Sequence, residues 1–173
     1  MGIPDFSFTK AGVYMDGHMI APGQAAMISK AFAGRVGARF WLLALVQAAH
    51  SIEEMRTGLY DFMWEATPRL GLPRMGMSAV SFAVVNMAII AVLLALVPFV
   101  GGERSWSLAV AWIVAVVEVA NGVGHLTGAV IFRRYVPGAA TAPLLILCGL
   151  ALMSALRRSG KEAAGPAGQR RPI

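Results

Sequence analysis

Charge is what this chain lacks. Asp, Glu, Lys and Arg make up only 14% of its 173 residues, against 57% hydrophobic residues. An average soluble domain carries about a quarter charged residues, so this chain cannot clothe an ordinary water-facing surface. Cysteine is nearly absent too. Cys148 stands alone, which excludes an intrachain disulfide and a thiolate zinc cluster. The first 35 residues hold no apolar stretch beside a basic start, so a cleaved signal peptide is not expected. No internal repeat is evident, although small transporters often carry one. The net charge is +6, but the basic residues flank a long apolar centre instead of lining a surface. That distribution belongs to helices crossing a bilayer between basic ends, and it argues against a nucleic-acid partner.

The apolar centre resolves into segments long enough to span. Met75 to Gly102 carries no charge, nor does Tyr135 to Leu156, and Ser105 to Phe132 is interrupted only by Glu118 and His125. Each exceeds or matches the roughly 20 residues that cross a hydrocarbon core. A first span is harder to see, because Phe40 to Val46 is apolar but His50, Glu53, Glu54 and Arg56 follow. Reading it as a full span gives an all-α membrane protein, a bundle of four transmembrane helices at about 40–60, 77–99, 106–132 and 138–156. Both ends then share a side. Lys30, Arg35 and Arg39 precede the first span, and Arg157, Arg158 and Lys161 follow the last. The positive-inside rule places both termini in the cytoplasm, on a cell (inner) membrane. Ile28, Phe32, Val36 and Phe40 recur every fourth residue, which predicts an N-terminal amphipathic interfacial segment. The chain thus divides into a segment at 1–36, a membrane domain at 37–156 and a basic, disordered tail at 157–173.

Polar groups inside such spans are the functional candidates, since each charge at mid-membrane costs from about 2.5 kcal/mol upwards. His50, Glu53 and Glu54 stand at i, i+3 and i+4 in the first span, on one helical face. Glu118, Asn121 and His125 share a face of the third. At 1.5 Å per residue, His50 lies about 15 Å above Phe40 and Glu118 about 17 Å above Ser107. Asn86 of the second span falls at a similar depth. Two histidines with three carboxylates have the composition of a zinc or carboxylate-bridged di-iron site. A metal-free hydrogen-bond network or a proton-handling site would use the same residues. The Glu-x-x-His spacing of di-iron bundles is reversed here, and His-Glu-x-x-His is absent. Gly124 and Gly128 form a small-residue step read as close helix packing. Trp41, Trp64, Trp106 and Tyr135 fall at the expected interfaces and are read as aromatic belts. The connection from Asp61 to Arg74, with Trp64, Pro68 and Pro73, is read as an outer loop with a short interfacial helix.

Three local patterns together resemble a known family. They are His50-Ser51-Ile52-Glu53-Glu54, the isolated His125, and Tyr135-Val136-Pro137-Gly138. In order and placement they resemble the HXXEE-motif family of membrane proteins, over roughly residues 37 to 156. The resemblance implies His50, Glu53, Glu54 and His125 as site residues and Tyr135, Pro137 and Gly138 as a turn element. It supplies no substrate, because the family has no established function. Glu118 enters by depth alone.

The reading that follows is a metal-dependent membrane enzyme acting on a lipophilic small molecule. His50, Glu54 and His125 would be ligands, Glu118 a fourth or bridging ligand, and Glu53 a supporting group or catalytic base. A divalent zinc would suit a hydrolase and iron an oxidase; the sequence does not choose. Membrane lipids are the expected surroundings, with an oligomer or a larger complex left open. The alternative is a non-catalytic membrane subunit or a small transporter that uses the cluster for packing or ion passage.

Overall fold

A computed structural model describes the backbone of residues 6–9, 12–15, 18–20, 22–100 and 105–163, and the side chains of residues 34–100 and 106–159. Five helices make its body among the described residues: α1 Pro22–Thr57, α2 Leu59–Arg69, α3 Ala79–Leu96, α4 Ser105–Phe132 and α5 Ala142–Ala163. Three short strands, β1 Phe6–Thr9, β2 Gly12–Met15 and β3 His18–Ile20, precede them as an antiparallel meander with β2 in the middle. Among the described residues the regular elements from Pro22 onward are all helices, with a small departure from an all-α plan before it.

Three of the helices are long and apolar enough to cross a membrane. They are α3, residues 106–132 of α4 and residues 142–159 of α5, with mean hydropathies of 2.6, 1.7 and 1.4. Their outer faces are apolar as well, with Val80, Val84 and Met87 of α3 and Val130 of α4 all exposed. α1 is not among them, because its second half carries His50, Glu53, Glu54 and Arg56. It also ends sooner than residue 60. Gly58 turns left-handed at φ 75°, a conformation only glycine adopts cheaply, and α2 follows at once as the short helix of the connection. α3 begins at a cap, with Ser78 Oγ accepting from Ser81 N at 3.1 Å.

α1 supplies the key to the interior. Val36, Phe40, Leu43, Ala44, Gln47, His50, Ser51 and Glu54 are all buried, none more than 6% exposed. Their spacing is one stripe of a helix, apolar in its first half and polar in its second. Val36 and Phe40, expected on an interfacial segment, instead join Leu152, Ala155 and Leu156 in the core. α1 runs unbroken past residue 36, so the expected boundary there falls inside a helix. The side chains of Ile28 and Phe32, and residues 164–173 of the tail, lie outside the described residues. α5 packs against both α1 and α4, while α3 packs against α1. Arg39 ties α1 to α5 from the side, donating to Ala151 O at 2.7 Å and Ser154 Oγ at 3.0 Å.

Two glycines allow α4 and α5 to approach closely, and they are not the pair singled out by spacing. A Cβ on Gly122 would lie 2.8 Å from Ala142 O, and one on Gly149 would lie 2.6 Å from Val119 Cγ2. At Gly124 the same added atom would meet nothing within 4 Å. Overpacking a tight core typically costs about 1–3 kcal/mol. Gly122→Val should therefore lower thermal stability in detergent by an amount of that order. Gly124→Ala should leave it unchanged or slightly raised, since alanine suits a helix better than glycine. The opposite ranking in a melting experiment would show that the α4–α5 interface is misplaced.

Candidate functional site

The polar half of the α1 stripe meets α4 and the turn that leads into α5. His50 Nε2 lies 3.2 Å from Glu54 Oε1, one helical turn on. From α4, His125 Nε2 approaches the same oxygen at 3.0 Å. The two imidazoles stand edge to face with centroids 4.7 Å apart. All three residues are buried, with His50 fully enclosed. Their donor atoms form a group within 4.8 Å of one another, able to hold a metal ion.

The turn at 133–141 closes this group from above. Gly138 has φ 91°, and a Cβ there would lie 2.8 Å from His125 Cε1, His125 Nδ1 and His50 Cε1. Both requirements, the positive φ and the missing side chain, make glycine obligatory. The Tyr-x-Pro-Gly segment is thus more than a helix stop, because its glycine is the lid on both rings.

Glu53 lies beside the group and binds the turn. Its Oε1 accepts from the Tyr135 hydroxyl and from Ala140 N at 3.0 Å. Its Oε2 accepts from Thr141 N at 2.9 Å and Thr141 Oγ1 at 2.5 Å. Two of these donors are backbone N–H groups at the start of α5, where the helix dipole favours an anion. Burial, and then the Glu53 carboxylate that accepts its proton, raise the Tyr135 phenol above its ordinary pKa. It therefore remains a donor at neutral pH. Position in the sequence suggests an interfacial anchor at Tyr135; the side chain is half-exposed, but its hydroxyl serves Glu53.

Thr141 completes a chain that the motifs do not announce. Its Oγ1 lies 2.7 Å from His50 Nδ1. A hydroxyl donates one proton, and the nearer carboxylate takes it, so Oγ1 must accept from His50 Nδ1–H. In a neutral ring that leaves Nε2 with a lone pair, and Nε2 is the atom facing Glu54. The relay runs Glu53, Thr141, His50, and it fixes both the tilt and the tautomer of the ring. A polar residue at the start of a helix, three positions after Gly138, is the available signal.

Other sequence candidates lie outside the close group. Glu118 is buried on α4, hydrogen-bonded to Asn121, and its Oε2 has no partner among the described residues. Asn86 is buried on α3, and its Nδ2 donates to Phe82 O of its own helix at 3.1 Å. His125 Nδ1 and Gln47 Oε1 are also buried without partners among the described residues. Such atoms are costly unless something binds them. Cys148 packs at the edge of the core and takes no part.

Between α2 and α4 the group opens into a groove of about 430 Å³, with Glu54 and His125 on its wall. Its remaining lining is nearly all apolar.

A family model described as a protein of unknown function with HXXEE motif matches residues 41–152. No curated protein and no solved structure matches the chain.

The Glu53 tether can be tested without a ligand. Glu53→Gln places an NH₂ against donors that need an acceptor, and loss of a charged hydrogen-bond set costs about 1.5–3 kcal/mol. Tyr135→Phe removes one half-exposed partner and should cost less, about 0.5–1.5 kcal/mol. Thermal melting should rank the two in that order. Equal, negligible effects would show that the turn is held by something else.

Proposed function

The chain belongs to the HXXEE-motif family, whose function is unknown, and we propose that it is a membrane protein with an intramembrane metal centre formed by His50, Glu54 and His125. One observation carries this reading. The hydrogen-bond chain through Thr141 turns a lone pair of His50 toward a carboxylate oxygen 3.2 Å away. Two acceptors facing each other in a buried site repel unless a cation lies between them. Tetrahedral zinc bonds of about 2.0–2.2 Å place neighbouring donor atoms about 3.3–3.6 Å apart. The separations of 3.2 and 3.0 Å around Glu54 Oε1 need only a small opening to reach that.

Two histidines and one carboxylate suit catalytic zinc and non-haem iron(II) alike, both of which keep a position free for substrate. The groove beside Glu54 and His125 gives that position access to a lipophilic molecule. A bound ion would supply Lewis acidity or, as iron, redox chemistry. Gly138 and Thr141 would hold the ligands, and Glu53 would act by positioning His50 through Thr141, its own oxygens being occupied by four donors. Glu118, with its unpartnered Oε2, is the residue available as a fourth ligand.

In this reading α1 is the fourth span, and its polar half is tolerated because the stripe faces the bundle. Both termini then lie in the cytoplasm. A second reading has an observation behind it too: a protonated imidazole bonded to Glu54 Oε1 would satisfy the same atoms without metal. That would suit a non-catalytic subunit or a proton path.

Elemental analysis of purified protein separates the readings. About one zinc or iron per chain is expected in wild type, and much less in His50→Ala and His125→Ala. Chelator should lower the melting temperature of wild type and hardly affect either variant. Metal-free wild type indifferent to chelator would leave only the protonated cluster. For topology, single cysteines at Lys30 and Arg157 in a Cys148→Ser background should both resist impermeant reagents added outside intact cells. If just one reacts, the number of spans is odd and α1 does not cross.

A further inference from the structure

The groove between α2 and α4 is built as a trough for a chain. Leu59, Phe62, Met63 and Ala66 of α2 face Gly124, Gly128 and Phe132 of α4 across it. These sets recur at helical spacing, so each helix turns one apolar stripe toward the other. Apolar stripes that face each other normally close together and expel water. Here they do not. The glycines leave room, with nothing within 4 Å of the Cβ position at Gly124 and only Val136 near that of Gly128, at 3.6 Å. The helices are clasped at one end instead. Phe62 meets Phe132 edge to face at 5.3 Å, Arg134 lies over Phe62 at 5.0 Å, and Arg134 Nη2 reaches Glu65 Oε2 at 3.4 Å. At the other end stand Glu54, His125 and Asn121.

From this arrangement we infer that the α2–α4 groove binds the single hydrocarbon chain of a neutral amphiphile, with its polar end at Glu54 and His125. The apolar walls provide for the chain, and the glycine floor gives it a straight path one helical turn after another. Among the described residues no Lys or Arg lines the groove, so in the metal-free protein nothing there pairs with a charged head and the Glu54 carboxylate repels an anion. A long-chain alcohol, aldehyde or ester has this form. The assignment rests on the metal-centre reading for its chemistry, though not for chain binding itself.

The test uses the purified full-length protein and a long-chain alcohol bearing a photoreactive diazirine. Irradiation followed by peptide mass spectrometry should place the label on α2 around Phe62 and Met63 and on α4 around Gly128. Gly124→Leu, which projects into open space, should cut that labelling about tenfold by filling the trough. Val84→Leu on the exposed face of α3 should not change it, and in chelator-treated protein unlabelled alcohol should compete far better than a carboxylate of equal length. Metal content is measured on the same samples and should be unaltered by Gly124→Leu. Labelling spread evenly over exposed α3, or unchanged in Gly124→Leu, would overturn the groove assignment even with metal present. Groove labelling in protein that holds no metal would uphold the assignment and remove the metal centre instead.

Discussion

The site depends on one carboxylate that faces away from it. Glu53 receives four donors from the segment between α4 and α5. Without that tether the turn would lose its hold on α1. Gly138 would not sit on the two rings, and Thr141 would not reach His50. Adjacent glutamates thus divide two tasks. Residues next to each other on a helix point about 100° apart, so Glu54 faces inward toward His125 while Glu53 reaches outward to the turn. In this chain that division gives each of the two adjacent glutamates its own partners.

α5 is the reason the division works. It packs against both α1 and α4, and the turn that leads into it is where Glu53 is bound. Gly122 and Gly149 let α4 and α5 close up, which sets where His125 stands relative to α1. The apolar half of the α1 stripe completes the frame, with Val36, Phe40 and Leu43 anchored in the core. The cluster is therefore positioned by ordinary packing at one end of the bundle and by a hydrogen-bonded turn at the other.

Much of this is legible in the sequence. Long apolar runs mark α3, α4 and α5, because a long apolar helix needs no tertiary information to be recognised. His50, Glu54 and His125 stand out because polar groups at helical spacing are costly in apolar surroundings and seldom persist there without a task. What cannot be read depends on contacts distant in the chain. Glu53 looks like a base, yet its partners lie more than 80 residues away. Thr141 carries only the weak signal of a polar residue at a helix start, which does not name His50 as its partner. Gly124 and Gly128 fit a packing motif, but spacing cannot tell a glycine pressed against a neighbour from one facing open space. Depth along the helices brings Glu118 and Asn86 to the right level, but level alone does not place them in the close group of His50, Glu54 and His125.

Gly138 places an unusual demand on any attempt to redesign this protein. Every other amino acid begins with the same Cβ, so the collision with His50 and His125 is common to all of them. No choice of size, polarity or charge at that position offers a gentler substitute. Relief would have to come from the neighbours, by moving the backbone of the turn or giving up a ring. The position therefore behaves less like a residue to be optimised than like a fixed dimension of the frame.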